Sequence, residues 1–444
     1  MTATSTAPES TSHRLLSRLV RVNAHELGAL GWSFAIFFSV LCSYYILRPL
    51  RDEMGVTLGK ERLQGLFTVI FVVMLVMVPV FGWVVRSLER RWILPAVYLF
   101  FIANQVLFWL AWVTVKPGPM IAAVFYVWVN VYVMFVVSLF WSFMTDVWAS
   151  EQAKRLYGAI AVGGTTGALT GPLLIQLFLG VIGLPGLLLL AAAFLATALA
   201  GALRLRALLT VDGAARDGEE KSKSASLIAG ALNVWRDPYL FKIALWVLIA
   251  NVIGMLFYLE QARIVGEAIK DPSERVLLFS RIETAVSLLT IALQGVVAAR
   301  LIQHIGVGST AGLLPLGGLI ALVAFAAAPV LATIVAIMVV QRAMGYGLAN
   351  PAMRVLYTVV DAGDKYRAQN FIDTAVYRGG DAGAGWLLTV LGKSAGLSVS
   401  AIAILAIPLA GVWGWVSLRL GSEHGEKARA AEAAISGDTM RPSG

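Results

Sequence analysis

The residues hardest to place in this chain stand in Gly363–Gly385, GDKYRAQNFIDTAVYRGGDAGAG, where Asp373, Arg378 and Asp381 interrupt a stretch that otherwise reads as membrane-spanning. Ionisable groups at that depth are kept where they pair, line a water-filled path or hold a substrate. The same kind of group recurs elsewhere. Arg48 and Arg51 close the first apolar run beside Asp52 and Glu53, and Glu260 and Arg263 lie near the end of the seventh. Arg281 and Glu283 fall in the eighth run, Arg342 in the tenth and Asp146 at the end of the fourth. Arg48, Arg51, Arg281, Arg342 and Arg378 offer planar guanidinium forks suited to phosphate or carboxylate. Glu260, Glu283, Asp373 and Asp381 are the acids that would pair with those arginines in an empty site, or take a coupling proton.

That is binding chemistry, and the residue types for bond-making are missing. Gly392-Lys393-Ser394 has Leu387 where a phosphate-binding loop needs its first Gly. The four histidines, His13, His25, His304 and His424, are scattered, so no metal site is expected. Cys42 is the only cysteine, which excludes disulfides within the chain and thiol redox pairs. The expectation is a protein that is not an enzyme and carries no cofactor.

The elements that must position these charges follow from composition. The 444 residues are 59% hydrophobic and only 14% charged, with a mean hydropathy of +0.79, which places the chain among integral membrane proteins. The net charge of +9 belongs to the loops and not to a nucleic-acid footprint. A helical span needs about 20 apolar residues. Runs of that kind cover 28–47, 63–86, 93–115, 120–146, 157–180 and 186–206, then 239–262, 276–300, 310–328, 331–350, 369–392 and 397–418. Lys and Arg are concentrated in alternate loops, so both termini are expected in the cytoplasm. The N-terminal tail 1–27 includes an amphipathic lead-in over His13–Glu26. A polar stretch, 207–238, separates the lobe 28–206 from the lobe 239–418 and reads as a solvated linker. The charged tail 419–444 reads as a short helix over Glu426–Ile435.

The two groups of six echo each other. Gly163, Gly164, Gly167 and Ala168 in the fifth run answer to Gly379, Gly380, Gly383 and Ala384 in the eleventh, about half the chain away. Such small-residue faces let helices in lipid approach closely, and Gly163, Gly164, Gly379 and Gly380 are candidate packing and flexing points. Gly82 followed by Arg86, Glu89, Arg90 and Arg91 has the position and part of the content of a latch between the second and third spans. Six crossings per repeat keep both halves in one orientation. The expected fold is therefore an all-α membrane protein of twelve transmembrane helices in two parallel six-helix repeats, major-facilitator-like.

Tyr45-Ile-Leu-Arg48-Pro49-Leu50-Arg51-Asp52, Ser138-Leu-Phe-Trp141, Glu151-Gln-Ala-Lys154-Arg155, Lys365-Tyr-Arg367, Ile372-Asp373 and Arg378-Gly-Gly occur in that order. Together they resemble the ATP/ADP translocase family of plastids and intracellular bacteria, and more closely its free-living bacterial relatives. The resemblance implies nucleotide exchange across a bacterial inner membrane without hydrolysis. It would make Arg51, Asp373 and Arg378 the counterparts of family site residues. Two positions depart from the pattern: Asp381 stands where the family has a lysine, and Asn130 where it has an acid. The resulting expectation is a monomeric alternating-access transporter of an anionic, nucleotide-like or other organic anion, by exchange or proton coupling. A proton-driven exporter of cationic or amphipathic compounds and a non-transporting sensor or lipid-handling protein are the alternatives.

Overall fold

The computed structural model describes residues 26–115, 118–211 and 227–438. The lead-in before Glu26, Lys116 and Pro117, residues 212–226 of the linker and the last six residues lie outside that description. Among the described residues the regular structure is helical throughout. The helices are α1 Leu27–Ser87, α2 Arg90–Val115, α3 Pro119–Val147, α4 Ser150–Val211, α5 Leu227–Arg236, α6 Pro238–Ala268 and α7 Pro272–Ala292. They continue with α8 Ala299–Ala327, α9 Leu331–Met344, α10 Asn350–Leu356, α11 Ala362–Phe371, α12 Tyr377–Thr389 and α13 Val399–Asp438. Eight helical stretches among the described residues are long and apolar enough to cross a membrane, and the protein is a multi-pass membrane protein.

Three of the longest helical stretches are broken by a glycine with positive φ: Gly59 in α1 (φ 77°), Gly183 in α4 (φ 66°) and Gly306 in α8 (φ 82°). A side chain at φ > 0 would meet its own backbone, so glycine is the residue that turns the chain there. These breaks fall in the intervals 48–62, 181–185 and 301–309 left between the apolar runs. Pro49 does not end the first helix, which continues to Gly59.

The chain divides into two compact units. The first gathers, among the described residues, those in Met1–Leu50, Phe81–Pro117 and Trp128–Lys221. Its core is aromatic, with Phe37 stacked on Phe140 at 4.3 Å and Phe101 meeting Tyr132 edge-on at 5.2 Å. α4 lies along α1 through its glycines. A Cβ on Gly163 would meet the Phe34 carbonyl oxygen at 2.6 Å, and one on Gly171 the Cys42 carbonyl oxygen at 2.9 Å. At Gly164 it would enter the Phe37 ring, and at Gly167 the Phe38 carbonyl.

The second unit comprises Arg51–Val80, Gly118–Val127 and Ser222–Gly444, again for the described residues. α13 packs along α8, where Gly308 and Gly421 face each other backbone to backbone. Among the described residues every π-helical turn belongs to this unit: Leu293–Ala298, Gly345–Ala349, Ile372–Val376 and Val390–Ser394. Such turns carry one extra residue per loop and are frequent at functional sites. Two differences from the sequence expectation stand out. The end of the polar linker is a helix, α5, seated on α11 through Gly230, whose Cβ would strike the Arg367 carbonyl. The helix expected over Glu426–Ile435 is the end of α13, continuous from Val399.

Candidate functional site

Most of the intramembrane charges fall in the second unit, and its acids are held by named cations. On α12, one turn after the π-helical turn Ile372–Val376, Arg378 Nη1 lies 3.7 Å from Asp381 Oδ2. The two side chains keep 26% and 16% of their surface exposed. The spacing is i,i+3, so both project from one face of the helix. Asn251 of α6 donates to the Tyr377 carbonyl at 2.6 Å, and the face of α12 beyond it meets the second half of α1. There Trp386 Nε1 donates to Thr68 at 2.9 Å, and a Cβ on Gly385 would touch Gln64 at 3.3 Å.

A second cluster gathers at Arg51. Its guanidinium donates to Asp52 Oδ1, with Nη2 at 2.7 Å, and lies over the Tyr126 ring at 5.4 Å. Tyr258 of α6 donates to the same Asp52 oxygen at 3.0 Å and is 2.6 Å from the Tyr126 hydroxyl. Phe67 meets both tyrosine rings edge-on. Phe67 stands among Gln64, Thr68 and Phe71, the α1 residues that α12 approaches, so both clusters border the same stretch of α1. A cation, a carboxylate and two hydroxyls thus stand around one aromatic wall.

Two buried acids flank this group. Glu260, 1% exposed, accepts from Lys60 and from Arg263 Nε at 2.7 Å. Glu53, equally buried, accepts from Thr57 at 2.7 Å and lies 3.5 Å from Arg275 Nη1. Each pair ties the first or second helical segment of α1 to α6 or α7. Burying a carboxylate without such a partner would cost several kcal/mol, roughly the penalty of an isolated ion in a low-dielectric interior.

The remaining site candidates make other contacts. Glu283 and Arg342 form a two-pronged fork, both contacts 2.7 Å, with Glu283 1% exposed. They sit beside two touching π-helical turns, where Gln294 donates to the Tyr346 carbonyl at 2.9 Å. Asp373 pairs with Arg354 at 3.1 Å, both more than half exposed. Arg281 is exposed on α7. Gly379 would bring a Cβ to 3.4 Å from Phe71, and Gly380 one to 2.8 Å from the Asn251 amide nitrogen. In the first unit Arg48 lies over the Tyr45 ring at 5.6 Å. Glu89 pairs with Arg91 at 2.6 Å in the open, Arg90 grips Asp146 with Nε to Oδ2 at 2.9 Å, and Arg86 is exposed.

Three residues of the central cluster carry no signal in the sequence. Tyr126 and Tyr258 are lost among the apolar residues of their helices, and Lys60 reads as a loop cation. Only the fold, which brings Lys60 to Glu260 across 200 residues of chain, gives them a role. Among the described residues no group of three or more His, Cys, Asp or Glu side chains could hold a metal ion.

No protein-family model matches the chain. No curated protein matches it by sequence. Solved structures do match. A bacterial homologue of the human lysosomal transporter Spinster, inward-facing and unoccupied, is 14% identical, with a TM-score of 0.57 over 91% of this chain and 99% of that one. The nucleoside transporter NupG is 14% identical, with a TM-score of 0.58 over 90% and 98%. A POT family transporter in complex with 5-aminolevulinic acid is 11% identical, with a TM-score of 0.62 over 89% and 96%. At these identities the likeness is one of fold, and the fold of this chain is the all-α, major-facilitator type that these transporters share.

Proposed function

We propose that the protein is a secondary transporter that carries a small organic anion of nucleotide type by alternating access, through exchange or proton coupling. The observation that carries this reading is the Arg378–Asp381 pair. It is loose at 3.7 Å and partly exposed, and its helix borders the same stretch of α1 as the Arg51–Asp52–Tyr258–Tyr126 cluster. An incoming phosphate or carboxylate makes a shorter, stronger partner for Arg378 than Asp381 does, so binding frees the acid to take a proton. Arg51 is the second anion ligand on this reading. The lobes are 28–206 and 239–418, twelve spans in all, in a monomer with both termini in the cytoplasm of a bacterium.

The finer reading, kinship with ATP/ADP translocases, rests on the ordered motifs from Tyr45 to Gly380. Asp381 in place of the family's lysine moves anion recognition onto the arginines. Lys60–Glu260 and Arg275–Glu53 then act as a gate, because residues 51–80 must release them to leave the C-terminal half. Gly379 and Gly380 are the positions about which the helices flex, Gly163 and Gly164 pack α4 on α1, and Arg90 with Asp146 is a latch.

A thermal-stability screen of the purified protein tests the substrate class. A ligand present at a hundred times its dissociation constant adds about 2.7 kcal/mol to the folded state. Nucleotides or related phosphorylated anions should raise the melting temperature, and Arg378→Ala should abolish that rise. A rise with organic cations alone, or one that survives Arg378→Ala, contradicts the proposal.

A further inference from the structure

At the end of the second unit where α6 begins, a pocket of about 290 Å³ is lined by Asn233, Arg236, Asp237, Asp361, Asp364 and Lys427, with apolar walls from Leu240, Val359 and Val360. Its charges are mixed, and they are not consumed by one another. Asp237 caps α6 by accepting from the Tyr239 amide at 2.8 Å. Asp364 accepts from Asn233 at 2.7 Å. Asp361 precedes α11 without a capping hydrogen bond from its side chain, Lys427 lies over the Tyr239 ring at 5.4 Å, and Arg236 is exposed. The pocket therefore presents two cations beside three carboxylates, of which Asp361 has no capping role, and this mixed charge suits a zwitterion that joins a phosphate to an ammonium.

The surroundings say where such a zwitterion comes from. α5 buries Gly230 and Val234 against the protein and turns Leu232 (48% exposed) and Trp235 (78% exposed) outward. Trp235 meets Phe241 edge-on at 5.8 Å, and Phe241 belongs to the exposed apolar stripe of α6 that continues through Leu248. The outward face of α5 is thus continuous with a membrane-facing surface and ends in a tryptophan and an arginine, the residues that favour the headgroup layer.

We propose that this pocket is a lipid site for phosphatidylethanolamine. The phosphate would lie between Arg236 and Lys427, the primary ammonium would donate to Asp361, and the glycerol and acyl chains would follow Trp235, Leu232 and Phe241 into the bilayer. Because Gly230 and Asn233 seat α5 on α11, a bound lipid is tied to the helix that leads into Asp373, Arg378 and Asp381.

The test is thermal unfolding of the full-length protein in detergent, with short-chain phosphatidylethanolamine, phosphatidylcholine and phosphatidylglycerol added separately. The ethanolamine lipid should give the largest rise. Methylation in the choline lipid removes the N–H donors, and the glycerol lipid lacks the ammonium. Asp361→Asn, which keeps the shape, should weaken phosphatidylethanolamine binding about tenfold, one charge-assisted hydrogen bond, weaken the choline lipid less, and not weaken the anionic glycerol lipid. Arg236→Gln combined with Lys427→Gln should weaken all three. Native mass spectrometry of the wild type should retain one ethanolamine lipid preferentially. Equal shifts for the three lipids, a preference for the glycerol lipid, or an ethanolamine preference unchanged in Asp361→Asn would each overturn the proposal. The screen is independent of the transported solute, so its failure leaves the anion-transport reading untouched.

Discussion

The two glycine faces that echo each other in the sequence do different work in the structure. On α4, Gly163, Gly167 and Gly171 meet backbone atoms of α1, so that a methyl group would collide with carbonyl oxygens that cannot move alone. On α12, Gly379 and Gly380 meet side chains, Phe71 and Asn251, and Gly383 meets nothing within 4 Å. The first face is a seam, closed by backbone. The second is adjustable, and it carries Arg378 and Asp381 beside a π-helical turn. One inherited pattern of small residues thus serves rigidity in one unit and leaves room for rearrangement in the other.

Substitutions graded by what the new atoms would meet can break or sharpen that contrast. The largest effect is expected at Gly167, where the Phe38 carbonyl and the Cys42 amide crowd the site. Gly167→Val should lower stability by about 3 kcal/mol, the upper range for overpacking, read as a fall in melting temperature in detergent. At Gly380 two side chains must yield, Leu248 slightly and Asn251 at the expense of its hydrogen bond to the Tyr377 carbonyl. Gly380→Ala should therefore cost about 1 kcal/mol and slow solute flux more than it lowers the melting point. Gly383→Ala should be neutral or stabilise by up to about 1 kcal/mol, since alanine favours the helix and space is open. If all three lower stability alike, the two faces are equivalent and the contrast fails.

The smallest effect belongs to Lys393 and Glu61, an exposed pair at 2.7 Å that joins the end of the α12 segment to α1. Lys393 holds the Glu61 carboxyl below its usual range by hydrogen bond and charge. A depressed folded-state pKa contributes stability above the unfolded value, and that contribution is lost as pH falls through the folded one. Lys393→Ala should then shift the melting temperature barely at neutral pH and not at all in acid. Solvent screening keeps exposed pairs weak.

The helices were legible in the sequence because bilayer-length apolar runs are long and separated by polar punctuation. The Arg378–Asp381 pair was legible too, since i,i+3 spacing on a helix fixes the neighbours of a charge. Pairings between distant segments were not. Glu260 meets Lys60, and Glu283 meets Arg342, for reasons of helix packing that no local pattern encodes. The tyrosines of the central cluster hide because an aromatic residue in a membrane helix is ordinary until a hydroxyl finds a carboxylate. α5 escapes notice for another reason. Its ten residues, LIAGALNVWR, are too short to span, and the polar run before them dominates any reading of the linker.

Transport as proposed requires Arg378 to exchange between Asp381 and the solute. The direct measurement is counterflow of labelled nucleotide into proteoliposomes carrying wild-type protein, Arg378→Ala, or Arg342→Ala as a comparison. The account predicts solute-dependent flux in the wild type and its loss in Arg378→Ala, whose melting temperature stays near that of the wild type. Arg342→Ala should instead unfold at lower temperature, because it removes the two-pronged cation from buried Glu283, at a cost of up to about 3–5 kcal/mol. Undiminished flux through a folded Arg378→Ala protein would contradict the central claim.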